Sequence, residues 1–237
     1  MSALRSPTTG EPVQVVARRN RLGVWLCIIS DASGTIALLV AYAYLWSLNV
    51  NNGWAPPNNA FADPLLFWVV TAGSALVALL LWWGYRLLLH GGRKEPLAIA
   101  ALASLLVIAT LVVQIVQMST FPFGANDGAY ASATFWLCIG AALHLGIVMV
   151  LALGVLGRTR AGLISPDNPS QAKLVAMYAT WAAIAIFLGA FFASTMTTSP
   201  NTSSPTFGEF QPPTPTSSAA PSSAASPAAS PASSSGS

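Results

Sequence analysis

Five stretches of the chain are almost unbroken in apolar character: residues 22–48, 64–89, 97–119, 129–156 and 172–196. At about 1.5 Å of helical rise per residue, each is long enough to cross a hydrocarbon layer about 30 Å thick. None alternates apolar and polar positions with the period of two that a barrel strand shows. The pattern predicts an all-α fold, a polytopic membrane bundle of five transmembrane helices. Residues 1–21, MSALRSPTTGEPVQVVARRNR, are polar. They lack a charged stretch leading directly into a short apolar run with a cleavage site, so the first run reads as a retained helix. Residues 197–237 end in PTPTSSAAPSSAASPAASPASSSGS, which has no apolar period. That composition buries too little surface to offset the entropy of ordering, which predicts a disordered tail. The organisation expected is a segment 1–21, a five-helix domain 22–196 and a tail 197–237.

Composition agrees: 54% of residues are apolar and 7% charged, as in a polytopic membrane protein rather than a soluble domain. All ten basic residues fall before the first run, at the junction of the second and third (Arg86 to Lys94), or at that of the fourth and fifth (Arg158 to Lys173). Loops 49–63 and 120–128, and everything after 196, have none. Basic residues favour the cytoplasmic side, so the amino terminus is expected inside and the carboxyl terminus outside, with the tail external. The net charge of +3 calls for no nucleic acid. Trp46, Trp54 and Trp68 suit the outer membrane interface, and Trp82, Trp83 and Tyr85 the inner one. Cys27 and Cys138 lie about 8 Å and 28 Å from the basic ends of their helices by helical rise. A disulfide needs Cα atoms within about 7 Å, so the two are read as unbridged packing residues.

The first helix carries a finer pattern. Gly23, Cys27, Ser30, Gly34, Ala37 and Ala41 recur at spacings of four and three, drawing one seam of small side chains of the kind that lets membrane helices approach closely. Asp31 borders this seam and is expected to face protein. An ionised Asp at mid-membrane costs about 3 kcal/mol or more, and no Lys or Arg lies nearby in the sequence. Asp31 is therefore read as a neutral hydrogen-bond donor satisfied by Ser30, Ser33 or Thr35, as a proton-accessible group, or as a contact for another subunit. His144, about 20 Å from the basic end of its helix against about 14 Å for Asp31, meets it if the first and fourth helices are tilted neighbours. Gln114 and Gln117, one turn apart, are expected to hydrogen-bond between helices. These polar residues are the interface or proton-linked candidates; no catalytic residue is identified. Haem or copper ligation needs several His, Cys or Met groups at one depth. His90 is about 20 Å of depth away from His144, so no metal or cofactor site is expected in this chain.

The run RLGVWLCIISDASGTIALLVAYAYLW resembles the helix of haem-copper (cytochrome c) oxidase subunit III that carries Gly-x-Trp, a Ser-Glu pair and Tyr-x-Tyr. Here these are Gly23, Trp25, Ser30, Asp31, Tyr42 and Tyr44, with aspartate in place of the glutamate. LVVQIVQMS is similar to the family's Gln-x-x-Glu helix end, with Gln114 matching and Gln117 replacing the acid. FGANDGAYASATFWLCIGAALHLGIVM resembles the segment ending in His-x-x-His, with His144 kept and Ala141 in the first position. The last helix, with Tyr178 and Trp181, has the aromatic character of the family's last helix without its histidine. The resemblance covers residues 20 to 196 and matches the short five-helix bacterial form.

The resemblance implies a cofactor-free accessory subunit of a respiratory terminal oxidase in a bacterial plasma membrane. Its partners would be the catalytic subunit that holds haem and copper, other oxidase subunits, and membrane phospholipid. It implies support of proton uptake and of sustained turnover in aerobic electron transport. Related readings are an accessory subunit of a quinol oxidase or nitric oxide reductase, or a small transporter or scaffold. Against a transporter, five helices do not divide into equal repeats and the runs contain no internal proline.

Overall fold

The structure, a computed structural model, describes residues 10–92 and 94–200. Five α-helices appear in chain order: α1 Val13–Leu48, α2 Pro64–Leu89, α3 Lys94–Ser119, α4 Ala129–Arg160 and α5 Ser170–Thr195. All five are long and apolar enough to span a membrane, and the described residues form no strand. The expected all-α fold, with five helices of membrane-spanning length and character, is present. Two short 3-10 turns, Val50–Asn52 and Pro57–Asn59, shape the α1–α2 connection.

Helix ends differ from the apolar runs where polar sequence still favours helix. α1 starts at Val13 rather than at residue 22, because VARRNR is made largely of good helix formers. Glu11 also pairs with Arg19 at 3.1 Å near its start. α4 runs to Arg160 rather than 156, ending with Arg158 and Arg160 in its last turn, where cations complement the helix dipole. α2 starts as expected, with Pro64 in its first turn and the Asp63 carboxylate accepting from the Leu65 amide at 2.9 Å. That arrangement satisfies one of the orphan donors at a helix start.

The helices α2, α3, α4 and α5 pack in a closed circuit, each against two of the others, and α1 lies outside that circuit against α5 and α4. Close packing depends on small side chains. At Gly73 of α2 an added Cβ would sit 2.6 Å from Thr110 Oγ1 on α3, so only glycine allows the two helices this approach. Two apolar clusters fill the interior. One includes Val77, Ala103, Ala152 and Ala176; the other includes Tyr42, Trp54, Phe67 and Tyr130. The second cluster lies at the end of the bundle away from the Lys and Arg residues, called the far end below.

That far end is closed by a lid. Trp54, expected as a membrane-interface anchor, is instead 1% exposed. Its ring stands edge-on to Tyr42 at 5.2 Å and to Tyr130 at 5.7 Å. Its indole N–H donates to the Thr197 carbonyl at 3.0 Å, and that of Trp46 donates to the Thr198 carbonyl at 2.8 Å. An indole brings a large apolar body and one obligatory donor, and a folded-back loop satisfies both better than the interface does. Trp68 and Trp83 do remain exposed. The loop adopts positive φ at Asn49, Asn51 and Asn58, among others, a region that asparagine tolerates better than most residues. Gly128, with φ 125°, brings the start of α4 under the loop; an added Cβ would lie 3.1 Å from the Ala55 carbonyl oxygen. The tail expected over 197–237 is corrected at its start, because Thr197 and Thr198 are bonded to the lid; residues 201–237 lie outside the described residues.

Candidate functional site

α1 turns one stripe toward the bundle, with Ile28, Leu39 and Tyr42 buried and Val24, Asp31, Thr35 and Leu38 half-buried. These positions recur at helical spacing, which places Asp31 on the face that meets α4 and α5. His144 comes from the middle of α4, and its ring is fixed by a 2.7 Å hydrogen bond from Nδ1 to the Gly140 carbonyl one turn earlier. Its other nitrogen, Nε2, lies 2.7 Å from Asp31 Oδ2. From α5 the indole N–H of Trp181 donates to the same oxygen at 2.6 Å. Three helices thus converge on one carboxyl group.

The hydrogen bonds fix the number of protons. A carbonyl oxygen only accepts, so Nδ1 of His144 carries a hydrogen. A bare Nε2 facing a bare carboxylate oxygen at 2.7 Å would set two lone pairs against each other, so one proton lies between Nε2 and Oδ2. Whichever atom holds it, the pair carries no net charge, which removes the main cost of placing either group in a membrane. The side chain of His144 is 10% exposed and that of Asp31 32%. The pair therefore sits at the edge of the bundle rather than at its centre. The arrangement can hold a proton, pass it between two atoms, and lock α1 to α4 and α5.

The structure corrects several expectations. Asp31 is satisfied by His144 and Trp181 on other helices, not by Ser30, Ser33 or Thr35; the Ser33 hydroxyl donates to the Ile29 carbonyl instead. The six seam positions Gly23, Cys27, Ser30, Gly34, Ala37 and Ala41 are all exposed, and nothing lies within 4 Å of a Cβ built at Gly23 or Gly34. Among the described residues no helix covers the seam, because α1 presents the neighbouring stripe to the bundle. Cys27 is exposed and Cys138 buried, and both are free; the packing role fits Cys138 alone. Gln114 and Gln117 are each 1% exposed, yet Gln114 Nε2 and both polar atoms of the Gln117 amide find no hydrogen-bond partner. The expected interhelical bonds of Gln117 are not made. His144 and Asp31 come together; the two glutamines lie toward the far end. Among the described residues no three His, Cys, Asp or Glu side chains gather as metal ligands.

Trp181 is the member of the site that reading by residue type passes over. Its signal was an indole N–H in the middle of an apolar run, which needs an acceptor at its own depth; Asp31 is such an acceptor.

At the basic end a groove of about 560 Å³ is lined by Arg18, Arg21 and Lys173 together with Trp25 and Trp82. No family model matches the chain, and comparison with curated proteins finds no significant match.

Proposed function

We propose that this chain is an accessory, cofactor-free subunit of a respiratory haem-copper terminal oxidase of the cytochrome c oxidase subunit III type. In this reading it lies in a bacterial plasma membrane with its basic end in the cytoplasm. The observation that carries the reading is the uncovered α1. It holds Asp31 to α4 and α5 on one side and leaves a seam of small residues open on the other. Such a seam suits close contact with a further membrane helix, and α1 carries one of the motifs of the resemblance to subunit III, with α3 and α4 carrying the others. The meeting of Asp31 with His144 supports it further, since these occupy the acid and histidine positions of that resemblance. Haem and copper belong, in this reading, to the neighbouring catalytic subunit. The groove with three cations and two indoles at the basic end offers a phospholipid both charge for its phosphate and an apolar wall for its chains.

The test is purification through a tag on this chain in mild detergent, read by visible spectrum and subunit composition. Haem-bearing partners are expected to come with it. Deleting the chain should leave the partner's haem spectrum in membranes while oxygen consumption decays faster during sustained turnover. A tagged protein that emerges without haem-bearing partners, from cells respiring through such an oxidase, refutes the reading.

A further inference from the structure

A cavity lies between the helices beside His144, toward the far end, and the space open to a water's centre is about 40 Å³. One water needs about 10–15 Å³ on this measure, so the volume suits about three. Most of the wall is apolar, and an apolar cavity of this kind stays dry unless polar groups line it. Here Thr35, Gln114, Cys138 and His144 do so. Gln114 decides between the two cases. It is 1% exposed, it lines the cavity, and its amide nitrogen has two N–H donors that make no well-formed hydrogen bond, the Cys138 sulfur being the acceptor beside it.

The distribution of other unpaired polar atoms points the same way. Within the helices of the described residues, the buried side-chain atoms without a partner are Tyr42 Oη, Gln114 Nε2, both Gln117 amide atoms and Thr134 Oγ1. All belong to the last or first two turns of their helices at the far end. Thr134 Oγ1 and Tyr42 Oη lie close enough to pair loosely with each other, and Thr134 also neighbours the Tyr130 hydroxyl, so the Gln117 amide and Gln114 Nε2 are the groups that most need a further partner. Toward the basic end, by contrast, Ser104 and Thr180 donate to carbonyls one turn earlier. Buried polar groups are normally paired, and when the protein supplies no partner an ordered water does. Unpaired polar groups thus lie in the far-end turns of α1, α3 and α4, and the cavity that Gln114 lines also reaches the imidazole of His144.

We propose that this cavity is a water site anchored by Gln114, and that its water is the route by which the proton shared by Asp31 and His144 exchanges with the medium at the far end. Exchange transfers one proton from the pair to water as another returns, so the net charge is unchanged and no co-reactant is needed. Around the pair, the titratable groups on neighbouring positions are Cys27 on α1, Cys138 on α4 and Tyr178 on α5. None of the α2 or α3 residues lining the cavity titrates. The inference concerns this chain alone and stands whether or not it sits beside an oxidase.

The chain has two histidines, so labelling with ¹⁵N-histidine in the full chain, reconstituted in lipid, gives two imidazoles to follow by solid-state NMR. Magnetisation transferred from water should reach the His144 ring N–H, with exposed His90 as the internal reference. Ala141→Leu, which places a larger side chain in the cavity, should slow the transfer to His144 by about threefold or more and leave His90 unchanged. Gln114→Met, which keeps the length and removes the donor, should act in the same direction and serves if the first variant does not fold. The proposal is overturned if water magnetisation reaches His90 but not His144 in the unaltered chain. It is equally overturned if a folded cavity variant leaves the transfer to His144 unchanged.

Discussion

Replacing Asp31 by leucine preserves the approximate size of the side chain and removes the acceptor shared by His144 Nε2 and Trp181 Nε1, at 2.7 and 2.6 Å. The Trp181 N–H and the bare Nε2 lone pair of His144 are then stranded between helices. An unpaired buried donor costs about 1–3 kcal/mol in general, whereas hydrogen bonds between membrane helices average about 0.6 and reach about 1.7 kcal/mol. Two bonds to one carboxyl at the edge of the bundle should therefore be worth about 2 kcal/mol together. His144→Leu alone removes one of them and leaves the carboxyl to take its proton from the medium, for about 1–2 kcal/mol. In the double variant the His144 contact can be lost only once, so its cost should fall short of the sum by about 1 kcal/mol. Asp31→Asn should cost about 1 kcal/mol, less than leucine, because both contacts fall on Oδ2 and an amide nitrogen there donates to Nε2 but leaves the Trp181 N–H without an acceptor. The assay is reversible unfolding in mixed micelles titrated with a denaturing detergent, followed by fluorescence of the eight tryptophans. Additivity of the two leucine variants to within about 0.3 kcal/mol would refute the coupling on which the candidate site is built. If Asp31→Asn costs as much as Asp31→Leu, a fixed negative charge is required and the proton-sharing account fails.

Gly73→Ala should destabilise the bundle by about 1–3 kcal/mol through its contact with Thr110 and be largely rescued by Thr110→Ala, as the same unfolding titration would show. Trp54→Ala should cost about 3–5 kcal/mol, since it empties the centre of the lid and leaves the Thr197 carbonyl unpaired; a loss below about 1 kcal/mol would mean that the lid is not packed as described. For orientation, a cysteine at Asn58 should react with an impermeant thiol reagent in intact cells and one at Lys94 only after permeabilisation. Reaction at Lys94 without permeabilisation would reverse the proposed topology.

Helix number and approximate position were legible because apolar length alone decides which segments can span a membrane. Lengths were less so: α1 runs back to Val13 because helix formation continues into polar sequence that hydropathy ignores. The pairing of Asp31 with His144 could be read only as a condition on α1 and α4 being neighbours, since depth along a helix says nothing about which helices touch. The same gap explains Trp54. Its position in a polar loop suggested an interface anchor, and only the return of residues 197–198 over that loop creates a buried place for it. The seam on α1 was visible as spacing, but spacing cannot say whether the face that it marks meets this chain or another.

The docking of α1 against α4 and α5, rather than within the circuit of the other helices, has a consequence for how the protein is made. During synthesis α1 emerges long before His144 and Trp181 exist. Through the whole of α2 and α3, a nascent chain carries Asp31 without the two partners that neutralise and bind it, and in a membrane that carboxyl would need other shielding in the meantime. The lid is later still, because its carbonyls at Thr197 and Thr198 follow α5. The contacts that dock α1 can therefore form only after α4 and α5 have been made, and those that close the lid only after α5.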